Sequence, residues 1–346
     1  MAADDVTSTR GIGLSLPNRG VLFGATTTEE MIALTERADA SPHLDSVWVG
    51  DGLVAKARLE SVVALSAIAA RTSRVRLGVC CLATFPLRQP VLFAVQWASL
   101  DLLSGGRTQL AVCLGAPTAR SGTNPFAELD AMGIRREDRV PRLEEGIAVL
   151  RALWAGPAAF DGTYTSFPEI DLQPRPVQQP CPIWIASNPN PAVLSPERYA
   201  AAIDRVGRLA DGWQSTVVTP EDFGVRWAEV RESAGSFGRD PDAMTSSVHL
   251  MINLHDDVAA ARAEAKTFLD TYYSMDVSDD VMDAWGAYGP PDVVLERLSA
   301  YVDAGLDVPI LRFASYDQQG QLDRADAELL GQLRDLLGVT AAGRPA

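Results

Sequence analysis

Short apolar runs in this chain end at eight places, seven of them on polar or ionisable residues. They are Pro17-Asn18-Arg19, Asp51-Gly52, Ala83-Thr84-Phe85, Gly115-Ala116, Ser187-Asn188, Thr216, Asn253 with His255, and Arg312. The set is poor in nucleophiles. No Ser stands in a Gly-x-Ser-x-Gly elbow and no His-Glu-x-x-His occurs. The three histidines, His43, His249 and His255, are too far apart in sequence to give metal spacing, so no metal site is expected. Gly11-Ile12-Gly13 leads into a strand rather than opening a helix, so it is not a dinucleotide loop. Asp51 and His255 are the candidate acid–base groups. Their plainer readings are an N-cap at Asp51 and a helix start at His255-Asp256-Asp257. His249 lies mid-strand and reads as a core histidine. So few acid–base groups suit an enzyme whose cofactor carries the hard chemistry.

The elements that must position these residues alternate. Candidate strands are 11–16, 46–50, 75–82, 108–114, 182–186, 212–217, 246–254 and 308–313. Amphipathic helix patterns at 28–39, 59–70, 90–103, 139–154, 197–209, 220–234, 258–273 and 291–304 separate them, and 325–337 closes the chain. Eight strand–helix repeats predict a (β/α)8 TIM barrel, with chemistry at the C-terminal ends of the strands. Thr28 reads as the N-cap of the first helix, and Gly105-Gly106 as the stop of the helix that starts at Pro90. One domain, 11–338, is expected, between a flexible N-terminus (1–10) and tail (339–346). Insertions fall near 116–136, 155–180 and 274–290. Segments of this kind are often lids or binding loops. Asp161-Gly162 signals a hairpin in the second, while Trp285 and Tyr288 in the third either cover a substrate or anchor the loop.

The composition bounds the partners. With 45 acidic and 30 basic residues the formal net charge is −15. Such a surface repels phosphate backbones, so nucleic acid is not an expected partner. No apolar run is long enough to span a membrane, and Met1–Arg10 lacks the apolar region of a signal peptide. The four cysteines, Cys80, Cys81, Cys113 and Cys181, form no Cys-x-x-Cys pair. Cys80 and Cys81 are expected to face opposite ways in their strand, as inert buried residues. The cysteine pattern reads as reduced, without disulfides, and the location as cytoplasmic.

Several blocks resemble the bacterial luciferase-like monooxygenase family. They are DSVWVGD (45–51), PLRQPVLFAVQWASLDLLSGGR (86–107), RVPRLEEGIAVLRALW (139–154), PRPVQQPCPIWIAS (174–187), RLADGW (208–213) and GPPDVVLERLSAYVDAG (289–305). They occur in the family's order, and the resemblance runs from Gly11 to Leu337. It implies a flavin-dependent barrel that uses reduced FMN or the deazaflavin coenzyme F-420. Carried over position by position, it places Asp51, Cys80, Cys81, Thr84, Gly115, Ser187, Asn188 and Thr216 around the cofactor. Cys80-Cys81 falls where members of the coenzyme F-420 branch carry a bulge with a non-prolyl cis peptide behind the ring. The His that usually follows the strand-end Asp is Gly52 here, and Thr219 replaces a Lys, which argues against a sugar phosphate. Leu16, Asn18, Phe85, Trp285, Tyr288 and Phe313 are the expected substrate-pocket residues.

The leading expectation is a monooxygenase acting with reduced flavin and oxygen on a small organic substrate. No nicotinamide or FAD domain is visible, so a separate flavin reductase is the expected partner. The alternative is coenzyme F-420-dependent hydride transfer, and a second alternative is a non-catalytic flavin-binding protein. A homodimer through the second and third helices is expected, from Leu59, Val62, Val63 and Ser66 with Val91, Ala94 and Val95.

Overall fold

Eight parallel strands pair in chain order, and the last returns to the first. They are β1 (Gly13–Ser15), β2 (Ser46–Val49), β3 (Arg76–Leu82), β4 (Thr108–Val112), β5 (Ile183–Ala186), β6 (Gly212–Thr216), β7 (Thr245–Leu254) and β8 (Val308–Phe313). The structure, a computed structural model, describes residues 10–54, 56–115 and 126–339. The expected terminal segments, 10 and 339 apart, and the first part of the 116–136 insertion lie outside the described residues. Each barrel strand sits within two residues of its predicted position, the first starting and the fourth ending two residues inside it, because each run is bounded by turn residues. The architecture is a closed (β/α)8 barrel.

Alternation along the strands sorts the side chains into two layers. Val47 and Val49 of β2, Ile183 and Ile185 of β5, and Leu250 and Ile252 of β7 pack against the surrounding helices. The opposite faces line the lumen, where Trp48, Ala111, Trp184, Val308 and Ile310 form a separate cluster. Trp48 and Trp184 lie with ring centroids 5.7 Å apart. Glycines on neighbouring strands give them room: a Cβ at Gly13 or Gly78 would collide with Trp48, and one at Gly212 with Trp184. The Trp48 indole N–H donates to Ser46 Oγ at 2.8 Å, so its polar atom is satisfied inside the barrel.

Several predicted details are corrected. The first helix, Thr28–Ala40, is capped by Thr27, not Thr28. Thr27 Oγ1 accepts from the Glu30 N–H at 3.1 Å, and the Glu30 carboxylate accepts from the Thr27 N–H at 2.8 Å. The closing helix starts earlier and is two helices, Gln318–Glu328 and Leu330–Leu337, broken at the buried, non-helical Leu329. The segment 274–290 is not a plain loop. It forms a helix, Asp279–Trp285, and a short strand, Gly286–Gly289, that pairs parallel with Met251–Leu254 of β7. A four-residue strand with glycine at both ends leaves almost no pattern to read. The hairpin is present as Ala158–Asp161 and Ser166–Ile170. Cys81 and Cys113 are joined in a disulfide, which corrects the expectation of none. Neighbouring strands bring their Cα atoms to 6.0 Å, within bridging reach. The cysteine pattern therefore no longer supports a reducing compartment. Among the described residues no helix is long and apolar enough to cross a membrane.

Gly78 tests the lumen packing. Gly78→Ala is expected to destabilise the fold by about 1–3 kcal/mol, since the added methyl overlaps a buried ring. Urea denaturation measures this, and an unchanged midpoint would mean the Trp48 ring has space to move.

Candidate active site

The tryptophans fill the lower lumen, and chemistry is left to the layer above. There β3 carries a bulge. Val79 pairs with Leu110 and Leu82 with Val112, so three steps on β3 oppose two on β4. The extra residue breaks the alternation. Val79 and Leu82 point to the helices, whereas Cys80 and Cys81 both pack against the lumen cluster. This corrects the expectation that the two cysteines face opposite ways. The peptide between them is cis, as the resemblance implied for the coenzyme F-420 branch. Cys80 Sγ lies 3.5 Å from Ser15 Oγ of β1, and burial holds its thiol above the ordinary pKa.

Arg312 enters the lumen from β8 and is 1% exposed. Its Nη2 donates to Ser15 Oγ at 2.7 Å and to the Leu16 carbonyl at 2.9 Å, and its guanidinium lies 4.6 Å from the Tyr272 ring centroid. Nε and Nη1 are left without a hydrogen-bond partner. His249 enters from β7, between Val248 and Leu250, which face the helices. Its Nε2 is buried and also without a partner. Burial first, then the charges of Arg312 and Arg58, press its pKa well below the ordinary value, so the imidazole is neutral at neutral pH. Tyr272 and Tyr273, at the end of the helix Val258–Tyr273, stand over this layer, with Tyr273 4.8 Å from Trp285.

The residues expected at the site divide. Asp51 is buried at the end of β2, but both its oxygens are engaged. Oδ2 accepts from the Thr84 N–H at 2.7 Å, and Oδ1 from Ser61 Oγ at 2.9 Å and Arg88 at 3.3 Å. It ties β2 to the turn after β3, where Arg88 Nε also donates to Thr84 Oγ1 at 2.9 Å. Nor is it an N-cap: Glu60 caps the helix Ser61–Ala69. Asn18 is consumed between the Gly50 and Leu59 backbones. Gly115, at φ +73°, turns against the Ala83 carbonyl, where a Cβ would press. Ser187, Asn188 and Thr216 do come together at the ends of β5 and β6. The Ser187 carbonyl accepts from the Trp213 indole at 2.8 Å, Asn188 Nδ2 donates to the Thr216 and Val217 carbonyls, and Thr216 Oγ1 donates to the His249 carbonyl at 3.2 Å. Thr219 caps the next helix, accepting from the Asp222 N–H.

Other candidates fall elsewhere. His255 is exposed, and its Nδ1 accepts from the Asp257 N–H at 3.0 Å, so it belongs to a helix start rather than to the lumen. Leu16, Phe85 and Phe313 pack in the helix-side core, not in a substrate pocket. Strand parity explains two of them: Ser15 and Arg312 face the lumen, so their neighbours Leu16 and Phe313 face away. Trp285 and Tyr288 join Phe268, Tyr272 and Met282 in a second core beside the end of β7. Of the two, Trp285 is the one whose ring lies against Tyr273, tilted by 44°. Arg312, His249, Tyr272 and Tyr273 are the residues this reading of the sequence did not assign. Their signals were a lone cation ending the run VPILRF, a histidine amid an alternating strand, and two adjacent tyrosines ending a helix.

A flavin or deazaflavin ring fits this layer on one observation. Its pyrimidine edge presents carbonyl and ring-nitrogen acceptors, and Arg312 holds two buried donors without acceptors. Such a ring supplies hydride or electron transfer, and FMN and coenzyme F-420 both fit. Arg312, Ser15 and Cys80 would meet it. Ser187 and Thr216 would border its tail, whereas the Asn188 amide is spent on the Thr216 and Val217 carbonyls and on Arg226.

Curated relatives include a coenzyme F-420-dependent glucose-6-phosphate dehydrogenase of Nocardia farcinica, 27% identical over 80% of this chain and 84% of its own length. A coenzyme F-420-dependent hydroxymycolic acid dehydrogenase of Mycobacterium tuberculosis is 31% identical over 71% of this chain and 67% of its own length. Among solved structures, a coenzyme F-420-dependent secondary alcohol dehydrogenase in complex with a cofactor–acetone adduct superposes with a TM-score of 0.76 at 16% identity, covering 95% and 99% of the two chains. A monooxygenase from Streptomyces bottropensis gives 0.76 at 21% identity, covering 93% and 99%. These two share the fold. The family model for luciferase-like monooxygenases matches residues 12–308, and this chain therefore belongs to that family of oxidoreductases.

Proposed function

We propose that this chain transfers hydride between an organic substrate and coenzyme F-420. The observation that carries this reading is the set of curated relatives that match most of the chain and act with that cofactor. The lumen supports it. The monooxygenase alternative calls for an apolar wall that keeps water from a reactive oxygen adduct. Leu16, Phe85 and Phe313, the apolar residues expected in the substrate pocket, are turned to the helices. What lines the upper lumen instead is Ser15, Cys80, His249 and Arg312. A polar, cationic layer suits hydride transfer to a ring that gains negative charge as it is reduced. In this reading residues 11–338 act as one barrel domain, and no reductase partner is needed within the catalytic cycle.

Titration separates the cofactors. Coenzyme F-420 is expected to bind at least about tenfold more tightly than FMN, a difference of about 1.4 kcal/mol. Fluorescence titration with coenzyme F-420, FMN and reduced FMN measures it. Tighter binding of FMN, with substrate-dependent oxygen uptake by the reduced complex, would contradict the proposal.

We also propose a homodimer. Val62 and Ala94, expected at its face, are buried in the protomer. The free apolar surface on the same two helices is carried by Val63, Leu92 and Leu103, all more than half exposed. Sedimentation at micromolar concentration is expected to give twice the protomer mass, and a single-protomer mass would count against it.

A further inference from the structure

We propose that His249 is the catalytic proton acceptor, and that the substrate is an alcohol whose hydroxyl proton passes to its Nε2. This rests on the hydride-transfer reading and names the substrate class and the residue that reading leaves open. Gly52, which follows Asp51 at the end of β2, has no side chain to offer. Asp51 has both oxygens occupied by Thr84, Ser61 and Arg88. His255 is exposed outside the lumen. Burial holds the Cys80 thiol and the Tyr273 phenol in their protonated forms. His249 is left, with a buried nitrogen and no donor facing it.

A buried acceptor without a donor marks a place where a ligand supplies one. Arg312, orphaned in the same layer, complements it. With one of its two open N–H groups on the ring, the other can stabilise negative charge on the oxygen as the O–H bond breaks. The balance is simple. The O–H proton goes to Nε2, and the O–H electron pair becomes the second bond of the carbonyl. The C–H bond breaks, and its hydrogen leaves with both electrons to the oxidised deazaflavin, the oxidant. Neutral His249 starts in the state that accepts. Burial first, then the charges of Arg312 and Arg58, make the imidazolium that forms unfavourable, so it gives its proton up to solvent. Thr216 fixes the strand by donating to the His249 carbonyl.

The test combines three measurements on the purified full chain. Carbon-13 NMR of labelled histidine Cε1 resolves three residues. The signal missing in His249→Gln is expected not to titrate between about pH 5 and 8, and to move when 2-propanol or cyclohexanol is added to the coenzyme F-420 complex. His249→Gln is expected to keep the wild-type affinity for coenzyme F-420 while losing at least about 100-fold in the rate of alcohol-dependent cofactor reduction. In His249→Ala, added imidazole is expected to restore part of that rate. If coenzyme F-420 does not bind wild type, the hydride-transfer reading fails and this inference falls with it. If it binds but neither alcohol moves the His249 signal or reduces the cofactor, the inference fails alone. It also fails if His249→Gln stays within about threefold of wild type, or if both variants lose the cofactor.

Discussion

Closing eight parallel strands creates a lumen that must be filled from within, and everything at this site follows from how it is filled. Two tryptophans, Trp48 and Trp184, take the lower part, and glycines at 13, 78 and 212 make way for them. Bulk at that level leaves the level above for other side chains. The same alternation that sends Trp48 inward sends Val47 and Val49 to the helices. The upper layer then receives Ser15, Cys80, His249 and Arg312, one polar group from each of four strands.

That layer is electrostatically unusual. A guanidinium that is 1% exposed has only a hydroxyl, a carbonyl and the face of Tyr272 as partners among the described residues. A buried charge so lightly paired is costly, and sites of this kind are commonly functional. Its field also adds to burial, the larger cause, in keeping His249 neutral. The bulge in β3 adds to this by bringing two successive side chains into the lumen where a regular strand would bring one.

Much of the barrel was legible in the sequence because its information is periodic. The eight barrel strands and most of the helices announce themselves by apolar alternation and caps. The site was less legible, for a related reason. Listing strand ends finds Asp51 and His255 but does not say which way they face. Asp51 is spent on Thr84, Ser61 and Arg88, while His249, passed over as a core residue, is the histidine in the lumen. Counting parity from Trp48 and Trp184 would have sent Leu16 and Phe313 outward. Parity alone fails at β3, because an inserted residue leaves no compositional mark. The Cys81–Cys113 bridge was missed because it depends on strand adjacency, not on spacing along the chain.

The central claim is that the upper lumen, between the β3 bulge and Arg312, is where the cofactor's ring binds. A crystal structure of the complex with coenzyme F-420 tests it most directly. The account predicts the ring against Cys80 and Cys81, with Arg312 Nε or Nη1 within hydrogen-bond distance of a ring oxygen or nitrogen. A ring bound elsewhere, such as the outer groove where Val91, Leu92 and Val95 face the hairpin residues Tyr164 and Phe167, would contradict it.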